Sequence, residues 1–347
     1  RNGGWLPFDR YMAMALYAPG LGYYARHSGR FGALPAQGSD FVTGPELSPL
    51  FGRALARQVA QALAGCTTDE VWEFGAGSGA LARQLLDALG ERVRRYHVVE
   101  LSAALRERQR EALQPHAGRV EWHDTLPDAI DGVIVGNEVL DAMPVQLLHF
   151  DGHRWFERGV AMAGDGFAWD DRPTALRPPH EADFVPGTVT ELHSQAEAFV
   201  ATLAERLQIG AAFFIDYGFP AHEYYLPQRH GGTLMCHRGH RADTDPLADV
   251  GLKDITAHVN FTGIALAAQE AGVDVLGYTT QARFLLNCGL LDDLAGADAR
   301  TIANAQKLLN EHEMGELFKV IAFGRRCDAD LATATMGFEA GDRTHTL

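Results

Sequence analysis

The sequence predicts an α/β fold, in which a mostly parallel central sheet is covered by helices and carries a small β insertion. Three observations predict it. Strand-like and helix-like segments alternate from residue 70 to residue 138. Within them Val133-Ile134-Val135 is the short apolar run of a strand buried on both faces. A glycine-rich turn, Gly75-Ala76-Gly77-Ser78-Gly79, joins the first of these strands to the next helix.

Residues 6–17 read as a short helix stopped by Pro19-Gly20, and residues 25–40 as a loop. Leu47, Phe51, Leu55, Val59 and Leu63 recur every four residues and mark the apolar face of a helix over 45–64. Pro45 suits its first turn and Thr43 its cap. Strands are expected at 70–74, 96–101, 119–124 and 132–138, with one helix ending near Leu89 and another opening at Ser102. After Pro144 the rhythm changes. Segments 146–150 and 153–162 flank Asp151-Gly152 as a hairpin, and 167–169 follows a second turn at Gly164. A helix over 191–207 and a strand over 211–217 come next. Residues 218–262 are loop-like. Helix 263–271, strand 273–279, helices 281–287 and 297–310, and a last strand 318–324 complete the pattern. The tail after Arg326 is expected to be mobile.

The 347 residues suit about two domains, or one α/β domain with a large insertion. Hydrophobic residues at 46% and charged residues at 22% describe a globular chain and exclude disorder as its main state. Acidic residues outnumber basic ones 45 to 30, for a net charge of −15. That charge argues against a nucleic-acid partner and favours a basic protein segment bearing Arg or Lys. No apolar run reaches the roughly 18 residues of a membrane span. Cys66, Cys236, Cys288 and Cys327 lie far apart with no C-x-x-C spacing. A disulfide framework or structural zinc site is therefore not expected, and a reducing compartment fits. No signal peptide is visible, in a chain that opens at Arg1 rather than Met.

The sharpest chemical signal is Glu73-Phe74-Gly75-Ala76-Gly77-Ser78-Gly79. Its glycines allow a tight turn and a close ligand, and the helix that follows offers free N–H groups to an anion. Gly75-x-Gly77-x-x-Ala80 satisfies the dinucleotide fingerprint. Glu73 before the first glycine and the third glycine, Gly79, instead match the G-x-G-x-G pattern by which class I methyltransferases bind S-adenosylmethionine. Glu100, ending the second strand, can accept both hydroxyls of an adenosine ribose, which serves either cofactor. Asp124, ending the third, can accept an adenine amino group. Glu138 and Asp141, in Asn137-Glu138-Val139-Leu140-Asp141, end the fourth strand, where substrate meets cofactor. A carboxylate there can hold a guanidinium bidentately and bias its electrons toward one nitrogen. Asp124 could instead cap a helix or turn, Glu138 and Asp141 could cap the turn that follows them, and Glu100 could be an exposed strand-end residue. His237-Arg238-Gly239-His240-Arg241 lacks a second ligand pair, so no metal site is read there. A loop bordering the active site is expected instead.

In its ordered landmarks the chain resembles the MidA-like group of class I S-adenosylmethionine-dependent methyltransferases. These landmarks are Gly22-Tyr23-Tyr24, Asp40-Phe41-Val42-Thr43-Gly44-Pro45-Glu46, Glu73–Gly79, Val99-Glu100-Leu101-Ser102, Asn137–Val145, Ile215-Asp216-Tyr217-Gly218, Gly232-Thr233-Leu234, Arg238-Gly239-His240 and Asp254–Phe261. Departures are Ala76 for a usual Pro, Ser78 for a usual Arg, a longer stretch at 31–38, and Asn260 for a usual Asp. The resemblance implies a seven-strand, Rossmann-like sheet whose last strand is antiparallel. It implies S-adenosylmethionine held by Thr43, Glu46, Glu73, Gly75, Ala76, Gly77, Gly79, Glu100, Leu101, Asp124, Thr125 and Asn137, with Glu138 and Asp141 as catalytic residues. It also implies an arginine-bearing protein acceptor. Mitochondrial members assist respiratory complex I assembly, so the expected compartment is the matrix in a eukaryote and the cytoplasm in a bacterium. A homodimer is a candidate assembly. On this reading 1–44 form an N-terminal helix and cofactor-covering loop, 45–144 the first part of the core, and 145–190 the β insertion. The core resumes over 191–218, 219–272 form a substrate-side region, 273–326 end the core, and 327–347 are the tail. Two alternatives stay open here: a non-catalytic S-adenosylmethionine-binding assembly factor, and an NAD(P)-dependent oxidoreductase.

Overall fold

The computed structural model describes residues 4–25, 42–180, 182–239, 241–326 and 335–347. The loop expected at 25–40 lies, apart from Ala25, outside the described residues. The chain opens with strand β1 (Trp5–Pro7) and helix α1 (Phe8–Tyr17). The helix expected over 45–64 is two helices, α2 (Gly44–Leu47) and α3 (Pro49–Ala64), broken at Ser48. Ser48 is extended at φ −153°, because the Pro49 ring disfavours helical backbone in the residue before it. The Ser48 hydroxyl oxygen then accepts the Leu50 N–H at 3.3 Å and caps α3. Gln84 pins the break: its Nε2 donates to Pro45 O at 2.7 Å and its Oε1 accepts the Gly52 N–H at 3.0 Å.

The expected alternation follows as β2 (Glu70–Phe74), α4 (Ala80–Leu89), β3 (Arg95–Val99), α5 (Ala103–Ala112), β4 (Val120–His123) and β5 (Ile130–Asn137). No helix lies between β4 and β5. The insertion contributes β6 (Gln146–Phe150), β7 (Trp155–Ala163), β8 (Gly166–Pro173) and β9 (Val189–Leu192). These form an antiparallel sheet in the order β1-β7-β6-β9, with β8 also paired to β7. The helix expected over 191–207 is therefore corrected to β9 followed by α6 (Ser194–Arg206). Glu191 decides the strand ending: its buried carboxylate accepts the Thr233 and Leu234 N–H groups and the Tyr224 hydroxyl, a cross-chain role that spacing alone does not reveal.

Strand β10 (Leu207–Phe219) returns the chain to the central sheet. The loop-like region then contains α7 (Ala221–Tyr224), a small antiparallel sheet of β11 (Met235–Arg238), β12 (Arg241–Asp243) and β13 (Asp254–Thr256), and β14 (Val259–Asn260) alongside β10. Next come α8 (Phe261–Glu270), β15 (Asp274–Thr280), α9 (Gln281–Asn287), α10 (Ala299–Leu309) and β16 (Phe318–Arg325). Asn260 caps α8 through its side-chain oxygen and the Gly263 N–H. Part of the tail is folded rather than mobile. Phe338 packs edge-on against Phe284, and Asp342 accepts the Tyr278 N–H at 3.0 Å.

The central sheet runs β15-β16-β10-β5-β2-β3-β4. Its pairs are parallel except that β16 is antiparallel to both neighbours, as the resemblance implied. Strand β5 is buried on both sides. Val133 and Val135 pack with Leu55 of α3 and Leu85 of α4, while Ile134 packs with Val200 of α6 and Ile264 of α8. The carboxyl ends of β2, β3, β4 and β5 thus share one edge, where open α/β sheets bind their ligands.

Candidate active site

Beyond Phe74 the chain turns through Gly75, Gly77 and Gly79 at φ 65°, 52° and 80°. This left-handed backbone favours glycine. A Cβ on Gly75 would press on Val139 Cγ2 at 2.9 Å, whereas one on Gly77 would meet nothing within 4 Å. Gly77 therefore presents bare backbone to open space, at the start of α4 with its free N–H groups. Behind it Glu73 is buried, and its Oε2 accepts the Tyr96 hydroxyl at 2.7 Å. Burial pushes the Glu73 carboxyl up to about 7.

Past the end of β3, Glu100 accepts the Ser102 N–H at 2.8 Å on one oxygen and Gln109 Nε2 at 3.2 Å on the other. A carboxylate has about four lone-pair sites, so it keeps capacity for a diol. Gln109 also donates to Gly77 O at 3.1 Å and accepts from Trp122 Nε1 at 3.1 Å. It ties the glycine loop, Glu100 and β4 together. No local pattern signals this role, because it depends on how α5 is rotated against the loop. Opposite, Glu46 of α2 accepts the Thr43 N–H at 3.4 Å and is hydrogen-bonded by Ser78. Tyr17 and Tyr24 stack with ring centres 5.5 Å apart. Their hydroxyls donate to Ala142 O at 2.9 Å and Asp254 Oδ1 at 2.8 Å. The aromatic density of the first forty residues was the only hint of this wall.

The turn after β5 is held from behind. Asp216 Oδ2 accepts three consecutive N–H groups, those of Val139 at 3.1 Å, Leu140 at 2.9 Å and Asp141 at 3.2 Å. Just before them Glu138 sits at φ 52°, with its N–H on Ile215 O at 2.9 Å. A non-glycine residue in this region is strained, and such strain collects at functional sites. The Glu138 side chain is half-buried and lines the cavity. Burial first, then the nearby Asp141, pushes its carboxyl up to about 8, against a hydrogen bond from Asn137 at 3.1 Å. Asp141 is turned away and accepts the Tyr217 hydroxyl. Burial raises it to about 6, opposed by that tyrosine.

These elements enclose a cavity of about 820 Å³, within the range of small-molecule sites. Of the expected residues, Thr43, Glu46, Glu73, Gly75, Ala76, Gly77, Glu100, Leu101, Asp124, Thr125, Asn137 and Glu138 line it. Gly79 and Asp141 do not. Gly79 faces Gln109 and Ala112 of α5, and Asp141 points to Tyr217. The described residues of 237–241 do not border it either, since they belong to the small sheet of β11 and β12. Five carboxylates line the cavity, from Glu46, Glu73, Glu100, Asp124 and Glu138, and no Lys, Arg or His is among its described lining residues.

A family profile of S-adenosyl-L-methionine-dependent methyltransferases matches residues 54–279. The chain belongs to this family. A Burkholderia thailandensis protein crystallised with S-adenosyl-homocysteine is 53% identical, with a TM-score of 0.94 over 99% of this chain and 93% of its own. The mitochondrial protein arginine methyltransferase NDUFAF7 of Danio rerio is 28% identical, over 89% of this chain and 81% of its own. The NDUFAF7 homolog of Caenorhabditis elegans is 26% identical, over 84% and 74%. The cofactor is thus S-adenosylmethionine, and the cavity fits it. The bare backbone at Gly77 leaves room for a ligand, and the surrounding carboxylates suit a sulfonium and an ammonium. The oxidoreductase alternative falls away with the family match and the similarity to a protein crystallised with S-adenosyl-homocysteine. Among the described residues no helix is long and apolar enough to cross a membrane.

Proposed function

We propose that this methyltransferase acts on an arginine side chain of a partner protein. The observation that carries the reading is the cavity wall, with five carboxylates and no described basic side chain. Such a wall attracts cations and repels anionic acceptors. The relatives' names as protein arginine methyltransferases point the same way.

When bound, the cofactor supplies an electrophilic methyl group on a sulfonium. In this reading Gly75, Ala76, Gly77 and the N-terminus of α4 hold its carboxylate. Glu73 offsets its ammonium, Glu100 and Leu101 hold the ribose, and Asp124 and Thr125 face the adenine. Thr43, Glu46 and Asn137 close the end nearest Glu138. Glu138 accepts two N–H groups of the incoming guanidinium, and the paired geometry aligns one nitrogen for attack. The arriving cation favours ionised Glu138 over the protonated form that burial favours in its absence. The ionised carboxylate then takes up the proton that the nitrogen sheds on gaining the methyl group. Asp216 and Tyr217 position the turn and Asp141, without touching the reacting atoms.

The test is transfer of labelled methyl from the cofactor to arginine-bearing peptides, with lysine in place of arginine as control. Label on arginine alone, lost in Glu138→Gln, supports the proposal. Label on the lysine control, or transfer unaffected by Glu138→Gln, overturns it.

A further inference from the structure

A second cluster of ligand-type side chains lies on the outer part of the central sheet, away from Glu138. The register pairs Trp72 with His97, His97 with Glu121, and Val99 with His123. With a two-residue period, Glu70, Trp72, His97, Glu121 and His123 therefore share one face of β2, β3 and β4. Strand β4 is the sheet edge, and no helix follows it to cover this face. His97 is nonetheless only 4% exposed, because the Trp72 ring stacks on it at 3.9 Å.

His97 Nδ1 lies 3.0 Å from His123 Nε2 and 3.8 Å from Glu121 Oε2. One ligand atom from each of the three residues falls within 4.8 Å of the others. Ligands at about 2.0–2.2 Å from one ion stand at such separations. His97 Nε2, the far side of the ring, lies 3.3 Å from Glu70 Oε2. A carboxylate there is the outer partner that fixes a metal-binding imidazole with its other nitrogen free. Glu121 also has Arg95 at 3.7 Å on its other oxygen, a half-exposed pairing that water can replace.

We propose that His97, His123 and Glu121 bind a divalent cation of the zinc class, with Glu70 orienting His97. Two imidazoles and one carboxylate suit zinc and its transition-metal neighbours and do not suit calcium or magnesium, which take oxygen ligands. With His97 protonated on Nε2, facing Glu70, and His123 on Nδ1, both facing nitrogens offer lone pairs, and two neutral rings need lose no proton. The two carboxylates balance the charge of the ion. Asp124 and Thr125, at the cavity, follow His123 directly, and His123 O accepts the Glu100 N–H at 3.0 Å. An ion here would staple the edge strand that carries them.

The experiment is calorimetric titration of the full chain with zinc chloride, with magnesium chloride as control, and the visible spectrum of the cobalt-loaded protein. The expected result is one saturable zinc site, absent for magnesium. His123→Ala should weaken it at least about 30-fold and Glu70→Gln about 10-fold. His116→Ala, at a His–Asp pair elsewhere on the surface, should leave it unchanged. Glu121→Gln, at a half-exposed side chain, serves if His123→Ala does not fold. No saturable zinc binding, or zinc binding in the folded His123→Ala or Glu121→Gln variant equal to wild type, overturns the proposal.

Discussion

The glycine-loop end of the cavity is walled mainly by one stretch of chain, residues 73–125. The Glu138 end is assembled from residues 17–25, 43–46, 137–144 and 195–199, with Asp216 behind it. The first end needs only consecutive β–α units, because each strand delivers its own terminal residue to the site. The second needs parts more than a hundred residues apart to dock correctly. Damage at the first should therefore appear as lost cofactor affinity, and damage at the second as lost turnover at nearly unchanged affinity.

The largest effect should break the glycine-loop end. In Gly77→Asp a carboxylate enters open space meant for an anionic ligand group, on backbone at φ 52°. Calorimetry should show no detectable S-adenosylmethionine binding, and wild-type affinity would sink the assignment of this loop. Next, Glu138→Gln should lower kcat by about 100-fold or more, while the cofactor Kd stays within about 3-fold. In wild type, kcat/KM should rise with pH through about 8, the free-enzyme value for Glu138. A profile flat from pH 6 to 9 would remove Glu138 from the mechanism. Asp216→Asn keeps the shape but weakens three N–H contacts. It should lower kcat about 10-fold, the equivalent of one charge-assisted hydrogen bond, with cofactor Kd unchanged. Loss of cofactor affinity instead would show that the two ends are not separable.

The smallest effect concerns stability. Glu138 holds its proton more tightly in the folded chain, near 8, than at the ordinary value of 4.5. Its neutral form is therefore stabilising below about 4.5, and that contribution is lost as pH rises toward 8. Glu138→Gln cannot ionise. Its Tm should exceed wild type by roughly a few degrees at pH 8.5, with the gap closing toward pH 5. A gap that is constant with pH would mean that Glu138 titrates normally.

What was legible in the sequence follows the same division. The strands from 70 to 138 and the glycine turn were readable because periodicity and glycine content are local. Spacing alone makes Glu191 look helical because its partners, Thr233, Leu234 and Tyr224, lie more than thirty residues away. The break at Ser48 is hidden although Pro49 follows it, since the apolar period runs through it without a fault. Its place after the strand points Asp141 to the cavity, but Asp216 gathers that turn and Tyr217 draws the side chain away. Gln109, Tyr17 and Tyr24 needed tertiary contacts to be seen at all.

Tyr17–Ala25 and Thr43–Glu46 face the glycine loop across the same cavity. A molecule bound between them is a reversible crosslink between the start of the chain and the central sheet. Its concentration therefore sets how firmly Tyr17–Ala25 and Thr43–Glu46 are held. At a hundred times its Kd the gain is about 2.7 kcal/mol. Cofactor supply thus bears on the stability of the folded enzyme as well as on its rate.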